Sequence, residues 1–213
     1  MPQEQEDGYD AIEWLAEQSW CDGQVAMLGF SYGGLLAQRL VIAAPERVRR
    51  LIVASSSVLP VPGDAFAGWR ERDERVAAQP PVIGYDDDSY DDERVRQDAI
   101  SSAAANIWRL ELLPEYLNRL DQVRFSCDWS NAWPDHSRMP QTRSNNAVEQ
   151  LRSIGLPVLL LHGQQDMTFP AALVDQTLTM LPNACGAVIP EAGHMAHIDQ
   201  PLAWLNALRQ FLG

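Results

Sequence analysis

The stretch Val25-Ala-Met-Leu-Gly-Phe30-Ser31-Tyr-Gly-Gly34 decides the fold. Its first six residues are a short apolar run, which is typical of a strand buried on both faces in a parallel sheet. The apolar residues of the segment 35–41 recur at helical spacing, and Pro45 ends that helix. The stretch therefore predicts a tight turn from a buried strand into a helix, with Ser31 on the turn.

This turn carries the pattern G-x-S-x-G, formed by Gly29, Ser31 and Gly33. In such a turn small residues let the backbone fold sharply and present the serine hydroxyl. The backbone N–H of Tyr32 and the positive end of the following helix then face a developing oxyanion. Ser31 is the predicted nucleophile and Tyr32 supplies one predicted oxyanion donor. The alternative interpretation is a glycine-rich turn without chemistry.

Further apolar runs at 50–54, 157–161 and 186–189 predict three more buried strands, and helical patterns follow at 171–181 and 202–211. Strands that alternate with helices indicate an α/β fold, a mostly parallel sheet with helices on both faces. The segment from 58 to about 152 has no buried-strand run and is rich in proline, tryptophan and aspartate. We therefore predict a core in two parts, residues 1–57 and 153–213, with a helical cap inserted at 58–152.

A serine hydroxyl is a weak nucleophile that needs a base, and the base needs an orienting acid. His194 follows the last predicted strand, and Asp166 follows the 157–161 strand by a short loop. Both residues therefore lie at the carboxyl edge of the sheet, where open α/β sheets form their sites. His197 competes for the role of the base. The other candidates are less well placed: His136, His162, Asp175 and Asp199.

Three motifs occur in the chain order Ser, Asp, His: Gly29-Phe-Ser-Tyr-Gly33, Leu161-His-Gly-Gln-Gln-Asp166 and Pro190-Glu-Ala-Gly-His194. With the segment 45–53, they resemble the α/β-hydrolase superfamily in its cap-bearing form, over nearly the whole chain outside 58–152. The resemblance implies a triad of Ser31, Asp166 and His194, with Tyr32 N–H in the oxyanion hole. It also implies a serine hydrolase that cleaves an ester, amide, lactone or thioester of a small organic substrate.

The chain departs from this family at its beginning. Members carry several strands and an HG-containing loop before the serine turn, whereas 30 residues stand before Ser31 here. We expect these strands, and the second oxyanion donor that the loop supplies, to be missing. The edge of the Val25–Phe30 strand would then need cover from residues 1–7 and the cap, from a homo-oligomer or from a partner chain. The alternative, which we favour at this point, is that the sequence is a shortened form of a longer protein.

Two other functions stay open at this point. The same triad could carry out acyl transfer or cofactor-free haloperoxidase-like chemistry, or the chain could be a catalytically weak fragment that acts as a binding or assembly module. The aromatic residues of the cap are expected to form its core, with the lining of a substrate pocket as the alternative: Phe66, Trp69, Trp108, Tyr116, Phe125, Trp129 and Trp133.

The composition narrows the class of partner. The formal net charge of −13 argues against binding to nucleic acid or an anionic membrane. The three cysteines have no metal-ligand spacing, so we expect reduced thiols and no structural zinc. The first residues carry no hydrophobic signal segment, which predicts a cytoplasmic protein. No metal or organic cofactor is implied, since the triad brings its own nucleophile, base and oxyanion donor. The acidic residues 86–93 are interpreted as a solvated loop or helix entry.

Overall fold

The computed structural model describes residues 2–78, 91–128 and 144–213. Within these ranges one sheet has four strands, in the order β1 (Val25–Phe30), β2 (Val48–Ala54), β3 (Val158–Gly163) and β4 (Ala184–Ile189). Each strand pairs with its neighbour in parallel. The predicted α/β fold with a parallel sheet is confirmed.

Helices connect and cover these strands: α1 (Pro2–Ala16), α2 (Tyr32–Ala43), α3 (Arg70–Ala77), α4 (Asp92–Asn106), α5 (Leu113–Leu120), α6 (Ala147–Ile154), α7 (Ala172–Met180), α8 (Ala196–Asp199) and α9 (Pro201–Leu212). Three predictions made from the sequence fall outside the described residues. They concern the acidic run 86–88, His136, and the tryptophans at 129 and 133.

The side chains of β2 explain why both faces of the sheet are covered. Leu51 and Val53 point to one face, where α1, α2 and α6 contribute the packing, and Ile52 and Ala54 point to the other, where α9 packs. Side chains of a strand alternate in this way, so a wholly apolar strand needs cover on both faces. Truncating a side chain as buried as Leu51 (0% exposed) to alanine is expected to cost about 2–5 kcal/mol.

Strand β1 does not follow this pattern. Its residues alternate between partly buried and exposed, and Leu28 is 43% exposed. The prediction that this strand is buried on both faces is wrong for the described part of the chain. The reason is that β1 is the edge strand there, paired with β2 alone, while α9 contacts β3 and β4. Cover of this edge by a second copy or a partner chain stays a prediction.

The predicted cap segment, 58–152, contributes α3, α4 and α5. A small apolar cluster joins Ala103 of α4 and Ile107, the residue after α4, to Tyr116 of α5 and to Ile198 of α8. Helix α6 differs, because its residues Ala147, Val148 and Leu151 belong to the core beneath the sheet. The predicted border at residue 152 therefore lies inside a core helix, and the division into a core and a cap stays a prediction.

Candidate active site

The parallel register brings the carboxyl ends of the strands to one edge of the sheet. Phe30, the last residue of β1, pairs with Ala54 of β2, and Gly163 of β3 pairs with Ile189 of β4. The loops that follow these four residues therefore lie side by side, which is where open α/β sheets place their sites. These loops carry the predicted nucleophile, acid and base.

Ser31 lies between the end of β1 and the start of α2. Its φ is 51° and its ψ is −123°, in a region that residues with a side chain rarely adopt. Two hydrogen bonds hold this conformation: Ser31 N–H donates to the Ala54 carbonyl at 2.9 Å, and Gly34 N–H donates to the Ser31 carbonyl at 3.0 Å. Tyr32 is the first residue of α2, at the positive end of the helix.

The glycines around Ser31 have different physical roles. A Cβ on Gly29 would overlap the carbonyl oxygen of Gly33, so the strand can approach the helix this closely only without a side chain there. A Cβ on Gly34 would lie 2.5 Å from Cβ of Ser56. A Cβ on Gly33 would meet nothing within 4 Å among the described residues. The pattern G-x-S-x-G is thus sterically required at its first glycine and not at its second.

His194 joins Ser31 to Asp166. Its Nε2 lies 2.9 Å from Oγ of Ser31, and its Nδ1 lies 3.0 Å from Oδ2 of Asp166. The other carboxylate oxygen, Oδ1, accepts hydrogen bonds from the backbone N–H groups of Thr168 (2.8 Å) and Phe169 (2.9 Å). Because an ionised carboxylate only accepts, Nδ1 of the neutral imidazole carries the proton. Nε2 is then free to accept the proton of the Ser31 hydroxyl.

The imidazole is buried and flanked by aromatic rings. His194 is 5% exposed and Asp166 is 1% exposed. The ring of Phe30 lies 5.2 Å from the imidazole centroid in a tilted arrangement, and that of Phe169 lies 6.1 Å away, nearly parallel. These rings limit the rotation of the imidazole and keep water from its faces.

His197, the competing base, does not join this chain of hydrogen bonds. Its ring packs edge-on against Phe30 at 5.4 Å and lies 5.7 Å from the ring of Trp204. Its Nδ1 is buried and finds no hydrogen-bond partner among the described residues. Burial lowers the pKa of His197 below its ordinary value, and the positive charge of Arg119 lowers it further. The imidazole of His197 is therefore neutral and packs between the rings of Phe30 and Trp204.

His162 supports the acid. It is 1% exposed, and its Nε2 lies 2.7 Å from the carbonyl oxygen of Phe169 and 3.4 Å from Oδ2 of Asp166. A carbonyl oxygen only accepts, so Nε2 carries the proton and the ring is a donor to the loop that holds Asp166. His162 therefore orders this loop by hydrogen bonding.

The two alternative acids do not contact either histidine through their carboxylates. Asp175 is exposed on α7. Asp199 is fully buried, but its carboxylate accepts hydrogen bonds from three backbone N–H groups.

Two residues at this edge were not singled out from the sequence, and a third, Asp199, was considered only as an alternative acid. Ser55 follows β2, has a positive φ of 44°, and donates its hydroxyl to the carbonyl oxygen of His194 at 2.7 Å. Gln165 exchanges two hydrogen bonds with Ala192, one through its side chain at 3.0 Å and one through its backbone at 2.8 Å. Asp199 anchors Gly193. A run of three serines directly after a buried strand was the signal that could have identified Ser55.

The predicted cap segment contacts the loop after β3, which holds Asp166, as well as the base loop, residues 190–195, which follows β4 and holds His194. The Nε–H of Arg72 in α3 donates to the carbonyl oxygen of Met167 at 2.9 Å, next to Asp166 in the chain. A cavity of about 320 Å³ lies between cap residues and the base loop. It is lined by Arg75, Trp108, Arg109, Leu110, Glu111 and Glu191.

In the described ranges the potential metal ligands are dispersed. There, no three His, Cys, Asp or Glu side chains are grouped as a metal ion would require. No helix in the described part of the chain combines the length and the apolar composition needed to cross a bilayer.

The chain is similar in sequence to several known proteins. The family model of the X-Pro dipeptidyl-peptidases (S15 family) matches residues 1–195. A putative 2-succinyl-6-hydroxy-2,4-cyclohexadiene-1-carboxylate synthase of Bacillus subtilis (strain 168) is 25% identical over 199 residues, which are 89% of this chain and 66% of that protein. A pimeloyl-[acyl-carrier protein] methyl ester esterase of Salmonella heidelberg (strain SL476) is 25% identical over 190 residues, 87% of this chain and 68% of the esterase.

Solved structures support the fold. A meta-cleavage product hydrolase from Pseudomonas fluorescens superposes with a TM-score of 0.61 at 16% identity, over 89% of this chain and 64% of that one. The predicted α/β-hydrolase fold is therefore confirmed. The chain spans about two thirds of the length of the relatives and the structure named here.

Proposed function

Because the chain belongs to the X-Pro dipeptidyl-peptidase (S15) family, we propose that it is a serine hydrolase that cleaves an ester, amide, lactone or thioester of a small organic substrate through an acyl-enzyme. The observation that carries this proposal is the continuous hydrogen-bonded series from Ser31 through His194 to Asp166, at 2.9 and 3.0 Å. The positive φ of Ser31 at the start of α2 is typical of a nucleophile turn and supports the same chemistry. The burial of His194, whose imidazole is held in one orientation, supports it as well.

In this reaction Ser31 Oγ attacks the substrate carbonyl while Nε2 of His194 takes the hydroxyl proton. The carboxylate of Asp166 stabilises the imidazolium that forms. Nε2 then gives the proton to the leaving group, and the acyl group stays on Oγ. Water attacks this acyl-enzyme, its proton passes to Nε2, and Ser31 recovers the proton as the acid product leaves.

The negative charge of each tetrahedral intermediate needs donors in place before the reaction. In the proposed mechanism the N–H of Tyr32 and the positive end of α2 supply one of them. One such donor is typically worth about 10²–10³ in kcat. None of the three cysteines is in a disulfide, in keeping with the reducing cytoplasm that we propose as the location of the enzyme.

Active-site labelling tests the nucleophile. We expect a fluorophosphonate probe to form a covalent adduct with the purified chain, and the Ser31→Ala variant to form none. An adduct that persists in Ser31→Ala would show that Ser31 is not the nucleophile. Circular dichroism and cooperative urea unfolding show whether the natural chain is folded. If it is folded and forms no adduct, the result favours the binding-module alternative.

A substrate panel tests the bond that is cleaved. p-Nitrophenyl esters of increasing acyl length measure esterase activity, and Ala-Pro-p-nitroanilide measures release of an X-Pro dipeptide. Hydrolysis of the esters alone would show that the enzyme is an esterase. The Salmonella relative is named as an esterase. Release of p-nitroaniline would place it with the peptidases of its family.

A second use of the same triad is acyl transfer without net hydrolysis. One relative is named as a synthase, which favours testing it. Adding an alcohol to the ester assay separates the two uses, because a transferase passes the acyl group to the alcohol and a hydrolase passes it to water. The ratio of new ester to free acid, measured by chromatography, is the readout.

A further inference from the structure

A buried carboxylate that the proposed reaction does not use lies beside the base loop, residues 190–195. Asp199, the last residue of α8, is 0% exposed. Its Oδ2 accepts hydrogen bonds from the N–H of Gly193 at 2.7 Å and of Trp108 at 2.9 Å, and its Oδ1 accepts one from Arg109 N–H at 3.0 Å. Three donors of this kind compensate for the burial of the charge.

These donors come from two distant parts of the chain. Gly193 directly precedes His194, whereas Trp108 and Arg109 follow α4 in the predicted cap segment. One carboxylate therefore ties the base loop to the cap segment 107–109. The fit is close, since a Cβ on Gly193 would lie 2.9 Å from the backbone nitrogen of Trp108.

Neighbouring contacts hold the same loop. The N–H of Met195, the residue after His194, donates to the carbonyl oxygen of Asn106 at 2.8 Å. The Ser55 hydroxyl donates to the carbonyl of His194 itself at 2.7 Å. The peptide group after the His194 Cα is thus held by Ser55 and Asn106, and Asp199 holds the Ala192–Gly193 peptide group on the other side of the histidine.

We propose that Asp199 is a positioning residue for His194 and that it couples the cap segment 107–109 to the base. The proposal rests on the proposed function, in which His194 is the general base. By holding the Gly193 peptide, Asp199 keeps Nε2 of His194 within hydrogen-bond distance of Ser31 Oγ. Because the same carboxylate holds Trp108 and Arg109, a displacement of this cap segment also displaces the base.

The variant Asp199→Asn tests the positioning role. Asparagine has nearly the same size, but its amide group presents N–H donors towards at least one of the three backbone donors. We expect the rate constant for fluorophosphonate labelling of Ser31 to fall by about 10–100-fold, because small displacements of catalytic groups have large effects on rate. With a small ester, kcat should fall while KM changes little, and the acid limb of the pH profile of kcat/KM should shift.

The matched control is Thr177→Val, which removes another buried hydrogen bond, from the Thr177 hydroxyl to the Leu173 carbonyl at 2.6 Å in α7. This control is expected to lower stability and leave the labelling rate and the pH profile unchanged. The proposal is overturned if the Asp199→Asn protein folds and its labelling rate and pH profile are the same as those of the natural chain.

A readout that needs no activity separates this inference from the proposed function. The proton NMR signal of the His194 Nδ1–H reports the geometry of the imidazole against Asp166. We expect this signal to shift or broaden in Asp199→Asn and not in Thr177→Val. If the natural chain forms no fluorophosphonate adduct, the proposed function fails. The NMR signal still tests the positioning role in that case, because an unchanged signal in Asp199→Asn would overturn that role.

Amide exchange in the natural chain covers the case in which Asp199→Asn does not fold. If one carboxylate holds both segments, the N–H groups of Gly193 and Trp108 become accessible in the same opening event. Hydrogen exchange should then give equal opening free energies for the two amides. A Trp108 amide that opens independently of Gly193, with much weaker protection, would overturn the coupling.

Discussion

Nε2 of His194 lies 2.9 Å from Oγ of Ser31, although 163 positions separate the two residues in the chain. The closeness follows from the sheet, because β1 and β4 run in parallel and end at the same edge. The final distance is set by the loops, where Asp166, Ser55 and Asp199 hold the base loop or its imidazole. The geometry of the site is therefore sensitive to hydrogen bonds made outside the triad.

Histidine variants test which imidazole acts as the base. Replacing His194 with alanine is expected to lower the rate of fluorophosphonate labelling at Ser31 by about 10²–10⁴-fold, the range of general-base contributions. His197→Ala is the matched control and should keep most of the rate, since His197 packs against Phe30 and Trp204 outside the hydrogen-bonded series. Loss of labelling in His197→Ala together with retention in His194→Ala would reverse the assignment.

The two glycines of the motif should respond differently to alanine. Gly29→Ala places a Cβ on the Gly33 carbonyl oxygen, so we expect a loss of at least about 1–3 kcal/mol in the free energy of unfolding. Gly33→Ala places its Cβ in open space within α2 and should stabilise by about 0.5–1 kcal/mol, because alanine is the better helix former. Urea unfolding of both variants measures the difference, and equal effects would contradict it.

Much of the fold could be predicted because buried parallel strands are wholly apolar and are bounded by turn residues. The predicted strand 25–30 has the observed bounds, and the others differ by at most two residues at either end. The environment of β1 could not be predicted in this way. An apolar run indicates that cover is needed and does not say whether a neighbour is present. The uncovered edge of this strand was expected from the family resemblance, whereas the run alone predicted burial on both faces and not the 43% exposure of Leu28.

The candidate triad was predictable because strand ends mark the site edge and chemistry limits the residue types. The residues that orient the triad were not, since their contacts are to backbone atoms far away in the chain. Asp199 was weighed only as an alternative acid, and its partners, the N–H groups of Trp108 and Arg109, lie about 90 positions earlier. Backbone hydrogen bonds of this kind depend on tertiary packing and leave no spacing pattern in the sequence.

Neighbouring serines offer a further comparison. Ser55→Ala removes the donor to the His194 carbonyl, which is buried, so we expect a loss of about 1–3 kcal/mol in unfolding free energy and slower labelling of Ser31. Ser56 is also buried, but its hydroxyl finds no partner among the described residues. Ser56→Ala should therefore be neutral or stabilising. A larger loss in Ser56→Ala than in Ser55→Ala, by urea unfolding, would contradict both statements.

The pH dependence of stability should carry a contribution from His197. Burial holds the pKa of this histidine below the ordinary value of 6.5 in the folded chain, with Arg119 and His194 acting in the same direction and Asp199 against it. When the pH falls through about 6.5, the unfolded chain takes up a proton at this position while the folded chain does not. Protonation therefore favours unfolding, and stability is lost on the acid side.

Replacing His197 with glutamine removes the titrating group and should flatten this part of the profile. We expect the free energy of unfolding of the natural chain to fall more than that of His197→Gln when urea titrations at pH 7.5 and pH 5 are compared. Contributions from titrating groups that do not interact with His197 are shared by both proteins and cancel in the difference. A difference between the two proteins that is the same at both pH values would mean that the pKa of His197 is not lowered by folding.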